Sequence, residues 1–313
     1  EFKEIVDESN HEKEVKKLLF TYSFAQEGSR AFMTENELIL TRSRTSSVYS
    51  IDLAIKTAML YNYGPLEVVK KTAATVRQIM LQWTATPYYE RWGETAELVK
   101  IEDLSVISDG KYVLKGINME VKRGEIMGLI GEGSRALILT IAGLYKPTSG
   151  SVTIGGIDSY SRREEVKTRI GILLKGTKLY EEFTPRQNLI YLAKLEGKDP
   201  KNVVNDILER SALQLYADTK MMDLNPETKR KVMISQLLIR KVSLLLLEDP
   251  LDGLKDHEAE GVKSLLMNLS RFEGITIICS GKNYQELDFS DRVAILKKGS
   301  IEMMVNKKGE SIG

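Results

Sequence analysis

The chain reads as an α/β protein: a mixed, mostly parallel sheet with helices on its faces, preceded by a small, mainly helical region. Three observations predict this. Strand and helix signals alternate from about residue 97 onward, the pattern of successive βα units. Short apolar runs at 243–247 and 275–279 have strand length, as expected of strands buried in a sheet. The first 97 residues lack that alternation, so the domain division is drawn as 1–97 and 98–313.

In the first region, residues 3–20 are charged, with Ile5, Val6, Val15, Leu18 and Leu19 as apolar positions, and read as a helix. Leu38, Ile39 and Leu40 suggest a short strand ahead of a Ser/Thr/Arg loop. Pro65 can open a helix that carries Leu66, Val69, Ala73, Val76, Met80 and Trp83 on one stripe. Trp83, Tyr88, Tyr89 and Trp92 then form an aromatic group. It reads as an interdomain packing seam or as a partner-docking patch, because Trp and Tyr dominate binding hot spots. The pentapeptide Glu-Gly-Ser-Arg-Ala occurs at 27–31 and again at 132–136, through duplication or chance.

Beyond residue 97, strands are predicted at 98–101, 112–120, 125–130, 151–155, 170–174, 243–248, 275–279 and 292–296. Helices are predicted at 136–143, 161–168, 185–196, 200–211, 227–240, 256–271 and 284–288. The early strands imply an antiparallel edge beside the parallel sheet.

Composition removes several classes of function. A net charge of +1 predicts no strong pull toward nucleic acid or an anionic membrane. Cys279 is the single cysteine, and the two histidines, His11 and His257, lie far apart in the sequence. No disulfide framework can form within the chain, and no zinc site is expected from these ligands. Cys279, after Ile277 and Ile278, reads as a buried strand thiol. No apolar run approaches the roughly 20 residues of a membrane-spanning helix. The expectation is a cytoplasmic chain; it begins at Glu1 without Met, so its amino terminus is expected to be incomplete.

Glu102-Asp103-Leu104, Val113 to Asn118 and Val121 to Ile126 resemble the opening of an ABC ATPase domain. Gly128 to Gly131, Ile141 to Leu144, Lys146 to Gly150, Leu189 to Leu195, the leucine strand before Asp249-Pro250, and Ser290 to Leu296 continue the resemblance in order. It spans about residues 98–300 and implies a P-loop NTPase-like ABC domain with a helical subdomain, an ATP and Mg²⁺ site, and work in pairs. The first 97 residues are not recognised.

The positions that would touch nucleotide depart from the family pattern. In the family the loop after the first central strand wraps phosphates with backbone amides, a lysine and a Mg²⁺-binding hydroxyl. Here Gly131-Glu132-Gly133-Ser134-Arg135-Ala136 stands in that place. It is about three residues shorter and has Arg135 as its only cation, a fork-shaped group not equivalent to an ammonium. Ser108 aligns with the adenine-stacking aromatic, and Lys175 with the Q-loop glutamine. Asn225-Pro226-Glu227-Thr228 aligns with the glycine-rich signature; Pro226 removes an amide donor and Glu227 adds negative charge, although Asn225-Pro226 still starts a helix well. Glu248-Asp249 reverses the family's Asp-Glu pair, which sets the second carboxylate about 1.5 Å back. Lys255 replaces an aspartate in the following loop, and Lys282 replaces the switch histidine.

Taken together, these departures imply a pseudo-ATPase: a non-catalytic scaffold or regulator with a degenerate nucleotide site, no expected cofactor, and protein partners such as an active ABC subunit. One alternative is a divergent ATP-hydrolysing subunit of an ABC transporter, docked on a separate membrane protein. Another is a soluble nucleic-acid-associated ABC protein, suggested only by Arg162, Arg163, Lys167, Arg169 and Lys229-Arg230-Lys231. Solvated helix faces account for those residues more simply.

Overall fold

A computed structural model describes residues 31–33, 38–40, 97–306 and 311–312. The chain divides into two units, Glu1–Thr86 and Pro87–Gly313. In the first, β1 (Ala31–Met33) pairs antiparallel with β2 (Leu38–Leu40), the latter at the strand expected there. The helices expected over 3–20 and after Pro65, and the aromatic group Trp83, Tyr88, Tyr89 and Trp92, lie outside the described residues.

The second unit holds two sheets. An antiparallel sheet is ordered β4-β3-β6-β7, from β3 (Glu97–Ser108), β4 (Lys111–Lys122), β6 (Ser149–Ile154) and β7 (Ile157–Asp158). The larger sheet is ordered β13-β12-β11-β5-β10-β9-β8. Its members are β5 (Ile126–Gly131), β8 (Ile170–Leu173), β9 (Leu244–Leu247), β10 (Thr276–Gly281), β11 (Arg292–Lys297), β12 (Ser300–Asn306) and β13 (Ser311–Ile312). The run from β11 to β8 is parallel, and β12 and β13 add an antiparallel edge. The helices are α1 (Ser134–Ile141), α2 (Arg163–Val166), α3 (Pro185–Leu195), α4 (Pro200–Arg210), α5 (Pro226–Ser235) and α6 (Asp256–Glu273).

The all-leucine strand β9 follows from burial on both faces. Leu244 and Leu246 enter one core with α1 and the antiparallel sheet, while Leu245 and Leu247 enter the other with α3 to α6. The remaining parallel strands split the same way: Met127 and Ile278 face the first core, Ile126 and Cys279 the second. Helix starts are written into the sequence as well. Thr184 caps α3 in a capping box with Gln187, Asp199 caps α4 and Asn225 caps α5, each ahead of a proline.

Three expectations change. The helix expected at 284–288 is a run of turns, in which the Asn283 side chain accepts the Glu286 N–H at 3.0 Å and the Glu286 carboxylate accepts the Lys282 N–H at 2.9 Å. The helix expected over 227–240 ends at Ser235 and continues as a 3₁₀ turn, Gln236–Ile239. Strands β1, β7, β12 and β13 were not expected; β12 mixes polar and apolar residues and is defined by its pairing with β11.

A buried charge network ties the first parallel strand to the rest. The Arg271 guanidinium donates to both Asp291 oxygens, at 3.0 and 2.6 Å, and Asp291 Oδ2 also accepts the Ile126 N–H at 2.9 Å. Arg271 is fully buried. Glu125, also fully buried, accepts from Arg292 Nε at 2.6 Å and from the Lys122 N–H at 2.8 Å. Breaking a buried pair strands one charge. Asp291→Leu is therefore expected to destabilise the chain by about 3 kcal/mol in urea unfolding; an unchanged midpoint would show that Arg271 does not depend on it. Cys279 sits at the sheet centre with its thiol pushed up to about 12 by burial. The native chain should react with Ellman's reagent only as fast as it opens, and immediately in denaturant; rapid labelling of the native chain would contradict this burial.

Candidate functional site

In a sheet of this kind ligands bind beyond the carboxyl ends of the strands. There, the loops after β5, β8, β9 and β10 converge, and these four strands are adjacent in the sheet. The loop after β5 turns through Gly131 and Gly133, with φ of 100° and 104°. Both need glycine: a Cβ on Gly131 would lie 2.1 Å from the Leu296 carbonyl oxygen, and one on Gly133 would lie 3.1 Å from the Val113 oxygen. Ser134 Oγ donates to the Gly131 carbonyl at 2.9 Å, so this hydroxyl is spent on closing the turn. Helix α1 then begins on Gly133 with no side-chain cap, which leaves its first-turn amides without a side-chain acceptor.

Arg135, in the first turn of α1, reaches across to β9 and donates through one nitrogen to both carboxylate oxygens of Glu248. Glu248 is buried; its Oε2 also accepts the Lys175 N–H at 2.9 Å, and its own N–H donates to the Leu173 carbonyl at 2.8 Å. The bond to Glu248 holds the Arg135 pKa above the ordinary guanidinium value.

Asp249 follows with a backbone φ of 44°, a left-handed conformation that Asp tolerates better than most residues. Ser280 anchors it from β10, donating through Oγ to Asp249 Oδ1 at 2.6 Å and accepting the Asp249 N–H at 2.9 Å. Three residues on, Asp252 receives two ammonium groups, Lys282 at 2.6 Å and Lys175 at 3.0 Å. These two bonds, Lys282 first, hold the Asp252 carboxyl down to about 2, and Asp252 in turn raises both lysines. Because the folded value is the lower one, this contribution to stability is complete above the usual aspartate range and is lost as pH falls through about 2.

The fold thus brings Gly131, Gly133, Ser134, Arg135, Lys175, Glu248, Asp249 and Lys282 to one end of the sheet. Asn225, Pro226, Glu227 and Thr228 start α5 instead: Asn225 caps it by accepting the Thr228 N–H at 2.7 Å, and Glu227 pairs with Lys231 at 2.5 Å. Ser108 ends β3, and Tyr112 next to it is exposed, with the Lys115 ammonium 5.9 Å from its ring centre.

Sequence reasoning missed Asp252 and Ser280, and it read Arg230 only as part of a basic surface. Arg230, from α5, donates to the carbonyls of Asp249 at 3.2 Å, of Pro250, and of Asp252 at 3.0 Å. It ties the helix begun by the signature segment to the loop that carries both aspartates. The other basic residues weighed for nucleic acid are engaged within the chain: Arg162 and Arg169 with Glu165, Lys167 with Glu164, and Lys229 with Glu181. No described helix is long and apolar enough to cross a membrane.

Comparison with known proteins gives the site its family. Residues 114–252 match the family model described as ABC transporter. The energy-coupling factor transporter ATP-binding protein EcfA of Methanothermobacter thermautotrophicus is 32% identical over 218 residues, covering 65% of this chain and 69% of that protein. The bacitracin transport ATP-binding protein BcrA of Bacillus licheniformis is 28% identical over 208 residues, covering 65% and 68%. Among solved structures, cbiO1 from Clostridium perfringens, part of the ABC transporter complex cbiONQ, superposes with a TM-score of 0.63 at 26% identity, covering 68% of this chain and 89% of that one.

These relatives correct the first expectation of a non-catalytic scaffold or regulator. They are transporter ATP-binding proteins, and they favour the alternative of an ATP-hydrolysing transporter subunit. The scaffold expectation took each replaced side chain as a lost function. The structure instead places cations and carboxylates in contact at the strand ends. With the fold, the converging loops and these relatives in view, the chain belongs to the ABC transporter ATP-binding family.

Proposed function

We propose that this chain is the ATP-hydrolysing subunit of an ABC transporter, with residues 98–313 as its cassette and residues 1–97 as an accessory region. It would sit at the membrane through a separate spanning subunit and act beside a second cassette. The observation that carries this reading is the carboxylate pair beyond β9, with Glu248 in contact with Arg135 and Asp249 held at 2.6 Å by Ser280.

The anionic end of ATP fits the chain's own groups. The uncapped first turn of α1 offers backbone amides and a positive helix end, and Arg135 leaves Glu248 to pair with phosphate oxygens. Asp249, whose Oδ1 is fixed by Ser280, orients a water through its other oxygen and takes its proton. The water oxygen bonds to the terminal phosphorus, the bond to the bridging oxygen breaks, and ADP leaves with that electron pair. Lys175 and Lys282 face the charge that builds on the departing phosphate. The metal fits less well. Glu248 keeps the Lys175 N–H when Arg135 leaves it, Ser134 Oγ is turned to Gly131, and ammonium groups stand at the Q-loop and switch positions.

Two measurements follow. ATP turnover by the full chain, purified with its membrane partner, should fall at least about a hundredfold in Asp249→Asn. Absence of turnover in the parent complex, or equal turnover in the variant, would refute hydrolysis at this site. Arg230→Ala should cost about 2 kcal/mol in urea unfolding, since three carbonyls lose a charged donor, and it should lower kcat with little change in KM. Arg230→Lys should recover little of either, because one ammonium does not reproduce the fork.

A further inference from the structure

Opposite charges meet at the strand ends, where Glu286 also faces Lys282. Three carboxylates, Glu248, Asp249 and Asp252, meet three cations, Arg135, Lys175 and Lys282. Both Glu248 oxygens accept from Arg135, and Oε2 also accepts the Lys175 N–H. Each Asp252 oxygen takes one ammonium, at 3.0 and 2.6 Å. Asp249 Oδ1 is taken by Ser280. Magnesium binds through one or two carboxylates, phosphate oxygens and water, in octahedral geometry that tolerates little distortion. Here all three cations already sit at the strand ends, Arg135 on Glu248 and both lysines on Asp252, and a divalent ion would compete with them for the phosphate oxygens. Among the described residues no three His, Cys, Asp or Glu side chains converge as a metal site.

We propose that Lys175 and Lys282, together with Arg135, form a clamp that binds the terminal phosphates of a nucleotide without a divalent metal, with Asp252 as its resident counter-ion. The proposal rests on the reading of this chain as an ATP-binding subunit. Its geometry is symmetrical about β9. Lys175 follows β8 on one side, Lys282 follows β10 on the other, and Arg135 enters from the helix after β5. Both lysine side chains are 57% exposed, so each can turn toward an incoming anion without unfolding anything. A terminal phosphate carries up to about two negative charges and several acceptor oxygens, against one charge on Asp252. Two ammonium groups held side by side by one carboxylate are thereby placed to transfer to it together.

The test is nucleotide binding by the full chain, with a fluorescent ATP analogue as the probe and inorganic tripolyphosphate as competitor, in EDTA and in excess magnesium. The affinity in EDTA should lie within about threefold of that in magnesium, and tripolyphosphate should compete in both. Lys175→Gln with Lys282→Gln should weaken binding about a hundredfold in EDTA, and Asp252→Asn should tighten it several-fold by releasing both lysines. A purely structural role for Asp252 would give weaker binding instead. Circular dichroism of each variant separates these effects from misfolding. Binding that collapses in EDTA and returns with magnesium overturns the clamp and leaves the ATP-binding reading standing. No binding in either medium overturns both.

Discussion

Burial of both faces of the parallel sheet is the constraint from which the rest of this molecule follows. Leucine, isoleucine and methionine alternate between two cores along β5, β9 and β10, so the polar side chains of these strands, Thr276 and Ser280, stand near the strand ends. Polar groups can emerge only where the strands stop. The strand order sets β8, β9, β10 and β5 side by side. Four loops far apart in the sequence therefore end within hydrogen-bonding reach of each other, and Glu248 is the point where three of them meet.

The opposite end of the sheet carries a second set of charges with a different task. Arg271, Asp291 and Glu125 are buried, Arg292 is half-buried, and together they fix the entry of β5 and β11. At the functional end the ion pairs are partly exposed, with Arg135 at 55% and both lysines at 57%. Exposed pairs are worth little as glue. They can exchange partners at far lower cost than the buried set.

Most of the fold was legible because its signals are local. The leucine run at 244–247, the Asn-Pro start of α5 and the glycines of the β5 loop each carry a physical reason within a few residues. The site was legible as positions but not as a network. Lys175 and Lys282 could be placed by alignment with the family pattern, yet their meeting at Asp252 depends on strand order that a single sequence does not display. Arg230 looked like one charge in a basic run, since nothing local marks it as the donor to three distant carbonyls. Side chains judged one at a time against an expected glutamine or histidine suggested loss of function; in the structure Lys175 and Lys282 both meet Asp252.

The short loop after β5 touches both sheets at once. Gly131 lies against the Leu296 carbonyl at the end of β11, and Gly133 lies against Val113 and Leu114 of the antiparallel sheet. Neither contact leaves room for a methyl group. A side chain at Gly131 would therefore press on the parallel sheet, and one at Gly133 on the antiparallel sheet.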